Sequence, residues 1–186
     1  VGSTLALSSA LMAGMIASGL NPVLAMGMGL VLGAFLGACN GVMITKGKMA
    51  PFIATLATMT IYRGLTLVYT DGNPITGIGD SFIFKYMGRG YLFGIPFPVV
   101  VMLLFFGVLY VLLHKMTFGR KTFALGGNEK AAFIAGIKSD RIKIAIYSIS
   151  GLMAAVAGII ITSRLNSAQP TAGNAYEMDA IASVVL

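Results

Sequence analysis

The sequence predicts an all-α, multi-span helical integral membrane protein. Three observations predict it. Of 186 residues 57% are hydrophobic and only 10% charged, the mean hydropathy is +0.89, and the charges lie between long uncharged runs. So few charges cannot cover the surface of a soluble domain. The same composition excludes a disordered chain and a coiled coil, and a lone cysteine, Cys39, excludes a disulfide framework.

Residues 1–45 carry no charge. As one helix, at about 1.5 Å per residue, they would extend roughly 67 Å, about twice the hydrocarbon thickness of a bilayer, so the run must turn back. Gly19-Leu20-Asn21-Pro22 is the natural hinge, because Gly and Asn favour a turn and Pro opens a helix at its first position. Spans are expected near residues 3–18 and 22–44. Lys46-Gly47-Lys48 ends the second, and Pro51 opens a third over 51–69 that stops at the turn signal Asp71-Gly72-Asn73-Pro74. A mixed connection through Asp80, Lys85 and Arg89 leads to a fourth span near 98–113. Residues 114–143 form a basic connection, with seven Lys or Arg (Lys115, Arg120, Lys121, Lys130, Lys138, Arg141, Lys143) against Glu129 and Asp140. A fifth span is expected over 144–163, then a polar connection after Arg164 and a sixth apolar segment, truncated, over 179–186. Residue 1 is Val and the chain stops within an apolar run, so the whole reads as part of one transmembrane domain of a longer protein, five full spans and a partial sixth.

Lys and Arg in short loops stay on the cytoplasmic side. With 114–143 inside, alternate crossings put Lys46 and Lys48 inside too, and the connections at 19–22, 70–97 and 164–178 outside. Inside then holds nine basic residues and outside three, Lys85, Arg89 and Arg164. The positive balance therefore points to the anionic membrane leaflet as partner rather than to nucleic acid.

Four constellations stand out. Gly29, Gly33, Gly37 and Gly41 recur every fourth residue and make a small-residue seam, read as packing within the bundle ahead of a subunit interface. Thr55, Thr58, Tyr62, Thr66 and Tyr69 put five hydroxyls on one side of the third span, either a solute path or a packed polar stripe. Arg63, about 9 Å inward of Tyr69 at the helical rise, is either an interfacial anchor or a donor at the mouth of a path. In the basic connection, Gly126-Gly127-Asn128-Glu129 reads as a turn and a cap, Ala131, Ala132 and Ala135 as a short helix, and Gly136-Ile137 as its stop, with Ser139-Asp140 as a second cap. By physics alone that short helix rests on headgroups, with docking into another protein as the alternative.

Enzyme signatures are missing. Gly126-Gly127-Asn128 lacks the lysine of a phosphate loop, His114 and Cys39 have no metal-ligand spacing about them, and no cofactor is expected. The acids Asp71, Asp80, Glu177 and Asp179 fall in or beside outer connections. That placement argues against an ion-coupled transporter or channel, the alternative function, and for an external energy source.

Phe52-Ile53-Ala54-Thr55-Leu56 with Tyr62-Arg63-Gly64, then Leu125 to Ile137, then Ser167-Ala168-Gln169-Pro170-Thr171-Ala172-Gly173 with Asp179-Ala180-Ile181, resemble in order the permease subunits of bacterial sugar ABC importers, those for ribose in particular. The resemblance runs over essentially the whole chain. It implies a dimeric permease in the bacterial inner membrane that conducts a monosaccharide, a cytoplasmic ATPase beneath it, and a periplasmic sugar-binding protein above it. ATP chemistry is then expected on the partner, not on this chain. The resemblance also implies that Gly126, Gly127, Asn128, Glu129, Ala131, Ala132, Gly136 and Ile137 belong to a coupling helix for the ATPase, reversing the preference for headgroups.

Overall fold

The computed structural model describes residues 1–78, 82–92 and 94–185. Asp80 and the end of the sixth apolar segment at Leu186 lie outside the described residues. The helices α1 (Gly2–Ala17), α2 (Pro22–Thr45), α3 (Pro51–Tyr69), α5 (Phe97–His114) and α8 (Ser139–Leu165) carry the apolar runs. Among the described residues, α2, α3, α5 and α8 are long and apolar enough to cross a membrane, while α1 is shorter. Between them lie α4 (Phe82–Arg89), α6 (Thr117–Gly127) and α7 (Glu129–Ile134), and α9 (Tyr176–Val185) ends the described chain. Strand β1 (Ile75–Thr76) pairs antiparallel with β4 (Ser167–Ala168), and β2 (Tyr91–Leu92) with β3 (Ile95–Pro96).

Local chemistry sets these limits. Asn21 caps α2 by accepting from the Val23 amide, and Pro22 occupies its first turn. Pro51 and Pro98 open α3 and α5 in the same way. Helix α8 begins five residues before the uncharged run expected at 144–163 and ends two after it, because Arg141, Lys143 and Arg164 sit where a long helix leaves the apolar layer. Ser139 does not cap it: Lys138 holds that position, and the buried Ser139 hydroxyl has no hydrogen-bond partner among the described residues.

Helix α1 is the centre of the bundle, with 12 of its 16 residues buried. Its small and hydroxylated residues allow three neighbours, α2, α3 and α8, to close around it. The buried Ser8 and Ser9 hydroxyls donate to Leu5 O and Ala6 O, so the helix satisfies its own polar side chains. At the end carrying the turns at 18–21 and 70–74, the turn end, Met12, Ala13 and Ile16 join Ile78, Phe84, Ile159 and Ala168 in the core. There α4 lies on the end of α8: Ser163 donates to Phe84 O, and Arg89 Nε donates to Arg164 O at 3.0 Å. The opposite end carries the charges of 46–48 and 114–143 and is the basic end. Helix α5 has no buried residue and touches the rest chiefly through α4 and α6.

The connection after α8, expected on the outer surface, instead turns back into the bundle. Ala168 sits at the level of Ile16, yet Gly173 lies so close to Gly2 that a methyl group on Gly2 would collide with its carbonyl. The phenol of Tyr69, at the turn end of α3, fills the space beside Gly14. From Gly14 to Gly2 is twelve residues along α1, about 18 Å at the helical rise, so residues 166–175 descend deep beside α1 before α9 begins.

Candidate functional site

The glycines of α2 meet α8 and α1. A Cβ on Gly33 would strike the Ala155 methyl and lie 2.7 Å from Gly151 O, one on Gly37 would strike Tyr147 O, and one on Gly41 would lie 2.7 Å from Ile144 Cα. Gly29 faces α1, where Met12 Cβ would be 3.3 Å away. Three of the four thus set the approach of α2 to α8, and Gly151 answers from α8, its own missing side chain making room for Gly33 O.

The hydroxyl stripe of α3 divides. Tyr62 donates to Leu36 O of α2 at 3.1 Å, buried Thr66 donates to Tyr62 O at 2.7 Å, and Tyr69 packs on Gly14. These three fill helix seams. Thr55 and Thr58 instead line a cavity of about 490 Å³ between α1, α2, α3, α8 and α9. Thr58 also donates to Asn40 Oδ1 at 2.6 Å, fixing that amide, which lines the same cavity. Ser3 and Thr4 of α1 and Ser150 of α8 bring further hydroxyls to an otherwise mainly apolar wall. Its volume lies within the range of small-molecule pockets, about 300–1,000 Å³, which are likewise mainly apolar with a few polar groups. Sequence reading missed Asn40, Ser3, Thr4 and Ser150, because each is one polar residue in an apolar run and their meeting depends on how three helices pack around α1.

Glu177 also lines the cavity, and its Oε2 is buried without a hydrogen-bond partner among the described residues. It was expected beside an outer connection; the descent of residues 166–175 carries it inward. Arg63 explains part of that descent. Its Nη1 donates to Pro170 O at 2.6 Å and to Ala172 O at 3.0 Å, so the guanidinium ties α3 to the descending segment rather than reaching outward to the interface.

At the basic end, Asn128 caps α7 by accepting from the Ala131 amide at 3.1 Å. Gly136 stops it at φ 80°, with Ile137 N bonding back to Ala132 O. Lys143 Nζ meets Glu129 Oε1 at 2.5 Å, tying α7 to α8. Ala132 is the exception among the residues expected on a docking face: it is buried against Leu125 and Ile142, with Ile137 packed beside them. Gly126, Gly127, Asn128, Glu129, Ala131 and Gly136 are exposed. The side chains most open for contact are Phe133, 73% exposed, and Ile134, 85% exposed, which sequence reading passed over. Their adjacency in a solvated hairpin was the available signal.

Residues 1–186 match the family described as branched-chain amino acid transport system / permease component. The chain is 67% identical over 186 residues to the ribose import permease protein RbsC of Bacillus subtilis (strain 168), covering 100% of this chain and 58% of that protein. It is 48% identical to the protein of the same name from Haemophilus influenzae, again over 100% of this chain and 58% of the relative. The D-allose transport system permease protein AlsC of Escherichia coli (strain K12) is 41% identical over 100% of this chain and 57% of its own length. The chain thus spans somewhat under three fifths of the length of these relatives. No solved structure matches it. Because the match runs from the first residue to the last, this chain belongs to the branched-chain amino acid transport system / permease component family.

Proposed function

We propose that this chain is part of the permease subunit of an ATP-driven importer, and that its sugar is ribose. The observation that carries the reading is the 67% identity, along the whole chain, to a protein named as a ribose import permease. The cavity supports it: hydroxyl and amide groups from Thr55, Thr58, Asn40, Ser3, Thr4 and Ser150 are the partners a neutral sugar needs. In this reading the turn end faces the outside of the bacterial inner membrane and the basic end faces the cytoplasm. The hairpin of α6 and α7 receives a separate ATPase, through Phe133 and Ile134 at its tip. A binding protein delivers the sugar to the turn end, and a second permease copy completes the path. ATP hydrolysis belongs to the ATPase.

The test is reconstitution of the full-length protein in vesicles with its ATPase and binding protein. Ribose should accumulate only with ATP inside the compartment that holds the ATPase. Accumulation driven by an ion gradient with no ATPase present would refute the reading and turn Glu177 into a coupling group.

A further inference from the structure

We propose that residues 166–175 are the outer gate of the path and that Arg63 is its latch. This rests on the permease reading above and adds the gate that reading leaves unassigned.

Non-helical backbone at membrane depth persists only where protein or a water-filled cavity surrounds it. Ala168, Pro170 and Gly173 of this segment meet that condition, Gly173 against α1 and Pro170 beside Arg63 of α3, while Gln169, Thr171, Asn174 and Ala175 are exposed; Glu177, just beyond, lines the cavity. Both ends of the segment are left-handed: Asn166 at φ 53° where α8 stops, and Ala175 at φ 67° where α9 starts. A left-handed alanine is rare and is held in place only by its surroundings. Beside each of these two joints is a buried polar atom without a hydrogen-bond partner among the described residues, Asn166 Oδ1 and Glu177 Oε2. Within the segment, Ala172 N bonds Gln169 O, Asn174 N bonds Thr171 O and Tyr176 N bonds Gly173 O, so it has internal turns that let it move as a unit.

At its start Ser167 and Ala168 pair with β1 and Ala168 is buried in the core; beyond that, Gly173 packs on Gly2 and Arg63 holds the middle by two charged hydrogen bonds to Pro170 O and Ala172 O. Those carbonyls have no helix or sheet partner at that depth, so the guanidinium satisfies groups that water would otherwise have to reach. A strained joint at Ala175, a buried polar atom without a hydrogen-bond partner beside each end and one charged side chain across the centre describe an element with two positions. Closed, it separates the cavity from the turn end. Released, its carbonyls hydrate and a solute can pass.

The experiment uses the full-length protein with Cys39 and any cysteine outside residues 1–186 replaced by alanine, and a reporter thiol from Ala168→Cys, since Ala168 is 1% exposed. A control thiol, Ala154→Cys, lies in the bundle on α8 at 3% exposure. An impermeant thiol reagent is applied from the turn end to protein alone in vesicles. R63Q should label the 168 reporter about tenfold faster or more, the shift expected from losing charged hydrogen bonds. R63K, whose ammonium keeps the charge without the fork, should fall between. The 154 control should not change. Unchanged labelling of the 168 reporter would overturn the latch. Equal acceleration at 154 and 168 would also overturn it, by showing general loosening. Labelling needs no ATPase or sugar uptake, so failure of the permease reading shows separately in the transport assay.

Discussion

Replacing Gly37 by alanine should destabilise the bundle, and the structure gives both the size and a control on the same helix. The new methyl would strike Tyr147 O, with Tyr147 C at 2.9 Å and Ser148 Cα at 3.1 Å. All three are backbone atoms of α8, so no side chain can swing aside and the helices must separate. Overpacking of that kind costs about 1–3 kcal/mol, against about 0.5–1 kcal/mol gained from replacing a helical glycine. Gly27→Ala on the same helix meets nothing within 4 Å, so it keeps only the gain. Gly29→Ala comes within 3.3 Å of Met12 Cβ, so α1 must give by only a few tenths of an ångström, and the cost should roughly offset the gain. At about 2–4 °C per kcal/mol, G37A should unfold several degrees below G27A, with G29A between them. The assay is thermal unfolding of the purified full-length protein in one detergent at one scan rate, because membrane proteins often unfold irreversibly. Equal midpoints for G37A and G27A would refute the view that this glycine sets the distance between α2 and α8.

At the basic end, the double variant Phe133→Ala, Ile134→Ala should weaken binding of the ATPase about 10- to 100-fold in a pull-down titration while the permease stays folded. Ala132→Trp should instead disturb the hairpin, since it crowds Leu125 and Ile142, and normal thermal stability of that variant would contradict the burial. Thr55→Val should lower ribose uptake severalfold without lowering the amount of folded protein, whereas Thr66→Val, whose hydroxyl bonds Tyr62 O away from the cavity, should leave uptake unchanged. The reverse order would move the path elsewhere on α3. Glu177→Gln keeps an acceptor oxygen and should retain most ATP-driven uptake, and its complete loss would favour the ion-coupled alternative.

Much of the helix layout is legible in the sequence, because uncharged runs, Pro22, Pro51 and the basic cluster act locally. Legibility ends where position depends on two elements at once. The period of the α3 hydroxyls says they share a side, but not that Thr55 and Thr58 reach a cavity while Tyr62 meets Leu36 O. Ala132 reads as a small docking residue from its size alone, although a buried alanine under a hairpin uses the same small size to let Leu125 and Ile142 close. The descent of 166–175 is the largest gap. Gln169, Thr171 and Asn174 read as surface and are exposed; what the sequence hides is that Pro170 and Gly173 between them are buried, with the carbonyls of Pro170 and Ala172 satisfied by Arg63, more than a hundred residues earlier.

Helix α8 gives these local arrangements a common mechanical part. At its basic end the Glu129–Lys143 ion pair and the packing of Ala132 on Ile142 join it to α7. Its middle is set against α2 through Gly151 and Ala155. At its turn end Asn166 opens the descending segment. Its 27 residues run about 40 Å without a break, so in the proposed reading a push from an ATPase on α7 would be delivered along a stiff rod rather than lost in a loop. The ion pair is exposed and worth little by itself, so the buried Ala132 contact is the stronger joint. The glycine seam leaves α8 little sideways freedom, because its neighbours on α2 are backbone atoms. Sliding or rotation along the seam is the motion left, and either would move Asn166 relative to Arg63, which is anchored on α3. A work input at the basic end and a release at the turn end thus require no flexible intermediary, only a rod between two ties of unequal strength.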